Sequence, residues 1–86
     1  ENTWNIFKEA FDSADNNFLK KAKENHPTLT PNDLRLCAYL RLNLSSKEIA
    51  PLLNISVRSI EIKRYRLRKK MNLPHETGLV EYLLSI

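Results

Sequence analysis

Eighty-six residues with 14 Lys and Arg against 10 Asp and Glu, a net charge of +4, bound this chain to one small basic domain. A single cysteine excludes an intrachain disulfide, one glycine argues against a β-rich or loop-rich fold, and no apolar run reaches the roughly 18 residues that a membrane span needs. The chain begins at Glu1 rather than Met and is expected to be a piece of a longer protein.

From the N-terminus, Trp4, Phe7, Phe11, Ala14 and Phe18 recur at steps of three and four, which predicts helix over residues 3–24. Asp12, Ser13, Asp15, Asn16 and Asn17 are weak interior helix formers, so a break is expected near residues 13–15. The aromatic seam has two readings. It packs on the rest of the domain, or it continues a coiled-coil dimer seam from upstream sequence.

His26, Pro27 and Thr28 form a linker. Thr30 caps the next helix with Pro31 at its first position. That helix is expected to run to about Leu42, with Leu34, Cys37, Ala38 and Leu40 inward, and to close at Asn43 and Leu44. Cys37 reads as a core thiol. His26 and His75 sit in loops beside prolines, and with one cysteine they form no metal-ligand spacing. No metal and no cofactor is expected.

Residues 45–71 are the most informative stretch. Ser45 and Glu48 have the spacing of a capping box. Ile49, Ala50, Leu52 and Leu53 give a compact apolar face. Asn54 tolerates the left-handed turn that ends a helix, and Ser56 is a good N-cap for the next. Two capped helices joined by about three residues make a helix-turn-helix. Ala50 lets the helices approach, and Ile60 plugs the gap between them. Pro51 lies inside the first helix and is expected to bend or tighten it.

At about 100° per residue, Ile60, Leu67 and Met71 fall on one line of the second helix, the buried one. Arg58, Ile62, Tyr65 and Lys69 fall opposite, flanked by Glu61 and Arg66. An isoleucine among cations suits a thymine methyl in a major groove better than plain solvent. Residues 58–70 hold seven cations against Glu61 alone, which leaves the remaining residues slightly acidic. That distribution favours a localised polyanion site over general stickiness. Arg64 lies near the core line and is expected to pack its stem inward or pair with an acid. Residues 72–75 turn, and residues 76–85 form a last helix carrying Leu79, Val80, Leu83 and Leu84, weakened locally by Gly78.

In this order, residues 29–73 resemble the LuxR/GerE-type helix-turn-helix domain of bacterial transcription regulators. The resemblance rests on Leu29-Thr30, Lys47-Glu48-Ile49-Ala50, Ile55-Ser56 and Lys70-Met71, and with the last helix it covers residues 29–84. Trp4, Phe7, Phe11 and Phe18, with residues 27–30 and 64–70, are similar to a subgroup found at the C-terminal end of large sensor-regulators. The resemblance implies an all-α fold: a domain over 29–86 with its motif at 45–71, and an N-terminal helical extension over 1–28 that packs on it or links to it. It implies sequence-specific binding of double-stranded DNA by a bacterial regulator's output domain, with the helix over 57–71 in the major groove.

The base-reading positions that it implies are Glu61, Ile62 and Tyr65, to which the angular reading adds Arg58. Phosphate contacts fall to Ser56, Ser59 and Lys63, with Arg66, Lys69 and Lys70 as nearby cations. Lys47, near a helix N-terminus, meets either a phosphate or only solvent. By the same resemblance, Leu79, Val80 and Leu83 form a dimer contact. The implied partners are DNA, a second copy bound to it, and RNA polymerase as a further candidate. This segment is expected to be cytoplasmic and to make no membrane contact, even where the parent chain is membrane-anchored. Glu61 stands where many members carry a cation. It could accept from a cytosine amino group or pair with Arg58 or Tyr65. Asn43 replaces the usual glycine at a helix end.

No nucleophile–base pair, carboxylate pair or glycine-rich phosphate loop is present, so an enzyme is not expected. Two alternatives stay open: a sigma-factor-like promoter-reading domain, and a helical protein-interaction module that binds an acidic partner.

Overall fold

The computed structural model describes residues 3–86, an all-α arrangement of six helices among those residues. They are α1 (Thr3–Ala14), α2 (Phe18–Asn25), α3 (Pro31–Arg41), α4 (Ser46–Leu53), α5 (Val57–Lys70) and α6 (Leu79–Leu84). The first two residues of the expected 1–28 extension lie outside the described residues.

The break between α1 and α2 falls at residues 15–17, slightly beyond the expected 13–15. Asn16 and Asn17 turn it in the left-handed region, at φ 52° and 62°. Asn17 offers no side-chain cap to α2. Asp12 supplies one from the helix before, its Oδ1 accepting from the Leu19 N–H at 2.8 Å.

Thr30 opens α3 with a full capping box. Its Oγ1 accepts from the Asp33 N–H at 3.1 Å, and its own N–H donates to Asp33 Oδ2 at 2.9 Å. Leu34, Leu36, Cys37, Ala38 and Leu40 are all buried, so α3 is the central helix rather than a one-faced one. Ser45 and Glu48 close the expected box on α4. Helix α4 carries the exposed Pro51 and continues through it to Leu53. Pro51 is the sixth of its eight residues and removes one donor from the ladder. Asn54 ends α4 at φ 58°, and the Ser56 Oγ accepts from the Ser59 N–H at 3.1 Å to start α5.

The last helix begins at Leu79, three residues later than the expected 76. Residues 74–77 form a turn instead, with the Thr77 N–H donating to the Pro74 carbonyl at 3.0 Å. Gly78 therefore precedes α6 as its N-cap and does not weaken its interior.

One core joins these elements. Phe18, Leu19 and Ala22 from α2 are buried with the α3 residues, with Ile49 and Ala50, with Ile60, Leu67 and Met71, and with Leu79 and Leu83. Burying each large side chain is worth about 1.5–3 kcal/mol. The aromatic seam packs on its own chain. Phe18 is buried and Trp4, Phe7 and Phe11 are half-buried against the core, with Phe7 edge-on to Tyr39 at 5.9 Å. The Arg35 guanidinium lies over both Trp4 and Phe7, at 5.4 and 4.7 Å from the ring centroids.

Two polar ties reach α6 from the N-terminal segment. Arg41 donates through Nε and Nη2 to the two Asp15 carboxylate oxygens at 3.0 and 3.1 Å, and through Nη1 to the Leu83 carbonyl. The His26 Nε2 and the Tyr82 hydroxyl are hydrogen-bonded at 2.6 Å. Leu79 and Leu83, expected in a dimer contact, are 6% and 0% exposed in the single chain. They face inward because α6 packs that side on α3. Val80 is half-buried and Leu84 is exposed, one helical turn apart on the outer side.

Candidate nucleic-acid interface

Helices α4 and α5 pack on each other through Ile49, Ala50 and Ile60, with Asn54 making the tight turn between them. This packing decides which side of α5 faces out. Ile60, Leu67 and Met71 are buried, as the angular reading predicts. Arg58, Glu61, Ile62, Tyr65, Arg66 and Lys69 are exposed. Ile62 and Tyr65 are the large apolar and aromatic side chains among them, 42% and 60% exposed. The Lys69 ammonium lies 5.3 Å from the Tyr65 ring centroid, a contact that orients the ring while leaving its edge free.

The seven cations of residues 58–70 divide into two sets. Arg64 turns inward and donates to the Ser46 hydroxyl at 3.2 Å, which braces α5 against the start of α4. Of the two expected readings, an inward-packed stem or a pair with an acid, the inward turn is seen, with a hydroxyl as the partner. Arg68 donates to the carbonyls of Thr77, Pro74 and His75, and so holds the loop before α6. Lys70 donates to Asp33 on α3. Arg58, Lys63, Arg66 and Lys69 form the exposed set. Lys70, expected among the phosphate contacts, is exposed and makes an ion pair on the α3 side.

At the N-terminal end of α5, the Ser56 and Ser59 hydroxyls bond each other at 3.0 Å. Backbone N–H groups of a first helical turn carry partial positive charge, so this end favours an anion. Lys47 is exposed in the first turn of α4. Lys63 lines a shallow cleft with Asn32, Leu53 and Ile55, which puts it on the flank of α5 nearest α3 and α4. Glu61 makes no ion pair among the described residues, and neither Arg58 nor Tyr65 engages it.

Two features escaped the sequence. Val57, at the first position of α5, is 41% exposed, an apolar surface off the centre line that the angular reading selected. His75 lines an open cleft of about 400 Å³ with Tyr65, Lys69 and Asn72, because residues 72–75 fold back along the end of α5. The Leu73 N–H donates to the Arg68 carbonyl at 3.2 Å to make that return. No local pattern signals it.

Among the described residues, no cluster of three or more His, Cys, Asp or Glu side chains could hold a metal ion, and no helix is long and apolar enough to cross a membrane.

The sequence profile of the family described as bacterial regulatory proteins, luxR family, matches residues 27–83. The probable transcriptional regulator ycf29 of Pyropia yezoensis is 35% identical to this chain over 81 residues. The match covers 93% of this chain and 36% of that protein, so the chain spans little more than a third of that curated relative. No solved structure matches significantly. With its capped helix-turn-helix inside a family match that takes in more than half of its length, the chain belongs to the luxR family of bacterial regulatory proteins, whose domains bind DNA rather than catalyse reactions.

Proposed function

We propose that this chain is the sequence-reading output domain of a transcriptional regulator, and that α5 enters the major groove of double-stranded DNA. One observation carries the reading. The outward face of α5 mixes cations with Ile62 and Tyr65, while Arg64, Arg68 and Lys70 are engaged by partners elsewhere in the chain. Ile62 meets a thymine methyl, and Tyr65 and Arg58 meet base edges. Glu61 makes no ion pair among the described residues, which leaves its carboxylate able to accept from a cytosine amino group.

Lys47, Ser56, Ser59, Lys63, Arg66 and Lys69, with the α5 N-terminus, fix the register on phosphates. Lys70 contributes only if it leaves Asp33. One such domain covers few base pairs, so the working form is a dimer on two related half-sites. Val80 and Leu84, on the outer side of α6, are its apolar contact. The ycf29 relative, a probable transcriptional regulator, supports a role in transcription. RNA polymerase is a further partner in this reading. A domain of this kind works in the cytoplasm.

The test is selection of bound duplexes from a random library, followed by anisotropy titrations of the selected sequence at several salt concentrations. An enriched motif with two-fold symmetry is the expected result. Tyr65→Ala should change which sequences are enriched. Lys63→Ala should weaken all duplexes about equally. If both variants fold and bind as the parent does, α5 is not the reading helix.

A further inference from the structure

Away from α5, residues of α1, α2 and the approach to α3 enclose an open cleft of about 260 Å³. Its floor is core surface from Leu19, Leu29 and Leu34, and Trp4 forms one wall. Around this apolar floor stand Lys8, Lys20 and Lys23, with Glu24 as the one acid of the lining among the described residues. Neither α4 nor α5 contributes a lining residue, so the cleft is independent of the proposed DNA surface.

The walls are held in place. The Trp4 ring stacks with Phe7 at 5.7 Å and lies under the Arg35 guanidinium, which adds a fourth cation nearby. Lys23 Nζ donates to the Pro27 and Leu29 carbonyls at 2.7 and 2.8 Å, so its charge is fixed rather than swinging in solvent. Lys20 is exposed and Lys8 half-buried. Trp4 and Lys8 are one turn apart on α1, as are Lys20, Lys23 and Glu24 on α2. The apolar floor therefore runs between two helices with cations on both sides.

We propose that this cleft docks a short amphipathic segment of a partner protein, with large apolar anchors flanked by carboxylates. The charge complementarity fixes the sign of the partner. The cleft is smaller than the roughly 300–1,000 Å³ usual for small-molecule sites. Its cations are spread over two helices rather than converging on one point. Both facts suit several carboxylates on one chain better than a single small acid. Docking of apolar anchors into a groove between helices is a recurrent mode of peptide recognition.

Trp4 is the single tryptophan, so its emission reports the cleft directly. The probe is a blocked synthetic peptide with a Leu-Phe pair between two Asp pairs. It should shift Trp4 emission saturably, with amide shifts confined to α1, α2 and residues 27–34. The same peptide with Asn in place of Asp should bind about tenfold more weakly at low salt, and Lys20→Glu should weaken the acidic peptide roughly fivefold. Lys8→Glu gives an independent second variant. Equal binding of the acidic and neutral peptides overturns the proposal, as does an absence of response at millimolar peptide. Amide shifts on α5 would mean that the peptide is held by the basic helix, and tighter binding of decanoate than of peptide would make the cleft a small-acid site. Either result also overturns it.

Discussion

Asp33 accepts from the Thr30 N–H at the start of α3 and from Lys70 at the end of α5. Burial opposes its ionisation, but the hydrogen bonds from Lys70 and Thr30 outweigh that effect and hold its carboxyl below the ordinary value of 3.8. A carboxylate depressed by folding adds stability above its unfolded pKa, and that stability is lost as pH falls through the folded value. Urea midpoints of the parent and Asp33→Asn should therefore differ most near neutrality and converge as pH falls through the depressed folded value. Cys37 is the opposite case. Burial first, and the nearby Asp33 charge second, push its thiol up to about 12. A disulfide reagent at neutral pH should leave Cys37 unlabelled in the native protein and label it fully in urea. Rapid native labelling would mean that α3 is not the closed central helix described.

At the scale of elements, the helix ends carry the clearest logic. Asn16, Asn17, Asn43, Asn54 and Asn72 all take positive φ, whereas Gly78 does not. Asparagine is therefore this chain's helix stop. Asn54→Gly should be neutral or slightly stabilising, while Asn54→Val should cost about 1–2 kcal/mol and loosen the α4–α5 turn. Thermal melts of the two variants would decide it. Ser45→Ala removes one capping bond and should cost about 1 kcal/mol by the same measurement.

On α5, Arg58, Lys63, Arg66 and Lys69 face out without a hydrogen bond or ion pair among the described residues. Lys63, Arg66 and Lys69, with Lys47, are the proposed phosphate cations and predict a salt slope for DNA binding of about −3.6 per domain, against about −6 if all seven cations of residues 58–70 met phosphates. The capping bonds and the buried line of α5 were legible in the sequence because they depend on residues three or four positions apart. The sorting of the cations was not. Arg64 with Ser46 and Lys70 with Asp33 are pairs 18 and 37 residues apart, brought together only by helix packing.

Across the whole molecule, the two N-terminal helices contribute unequally. Helix α1 supplies no buried residue, whereas α2 supplies Phe18, Leu19 and Ala22. A chain lacking residues 1–14 should stay folded with a lower Tm, having lost the aromatic cover and the Asp12 cap. A chain lacking residues 1–25 loses core burial comparable to the roughly 5–15 kcal/mol that stabilises a small domain, and should be unfolded by circular dichroism. The periodicity of the aromatic seam made a helix visible here but left its partner open. Which surface it covers depends on Tyr39 and Arg35 of α3, more than twenty residues downstream. The inward turn of Leu79 and Leu83 was hidden for a similar reason, since a six-residue helix shows too little period to mark its buried side.

Arg41 has a mechanical consequence. Its guanidinium clamps the α1–α2 corner to the last backbone turn of α6, and the His26–Tyr82 bond adds a second strut between the same two regions. Force applied at the N-terminal end therefore has a route to the C-terminal end through α3. A pull or twist applied there would load α6 first and reach α5 through the loop that Arg68 holds.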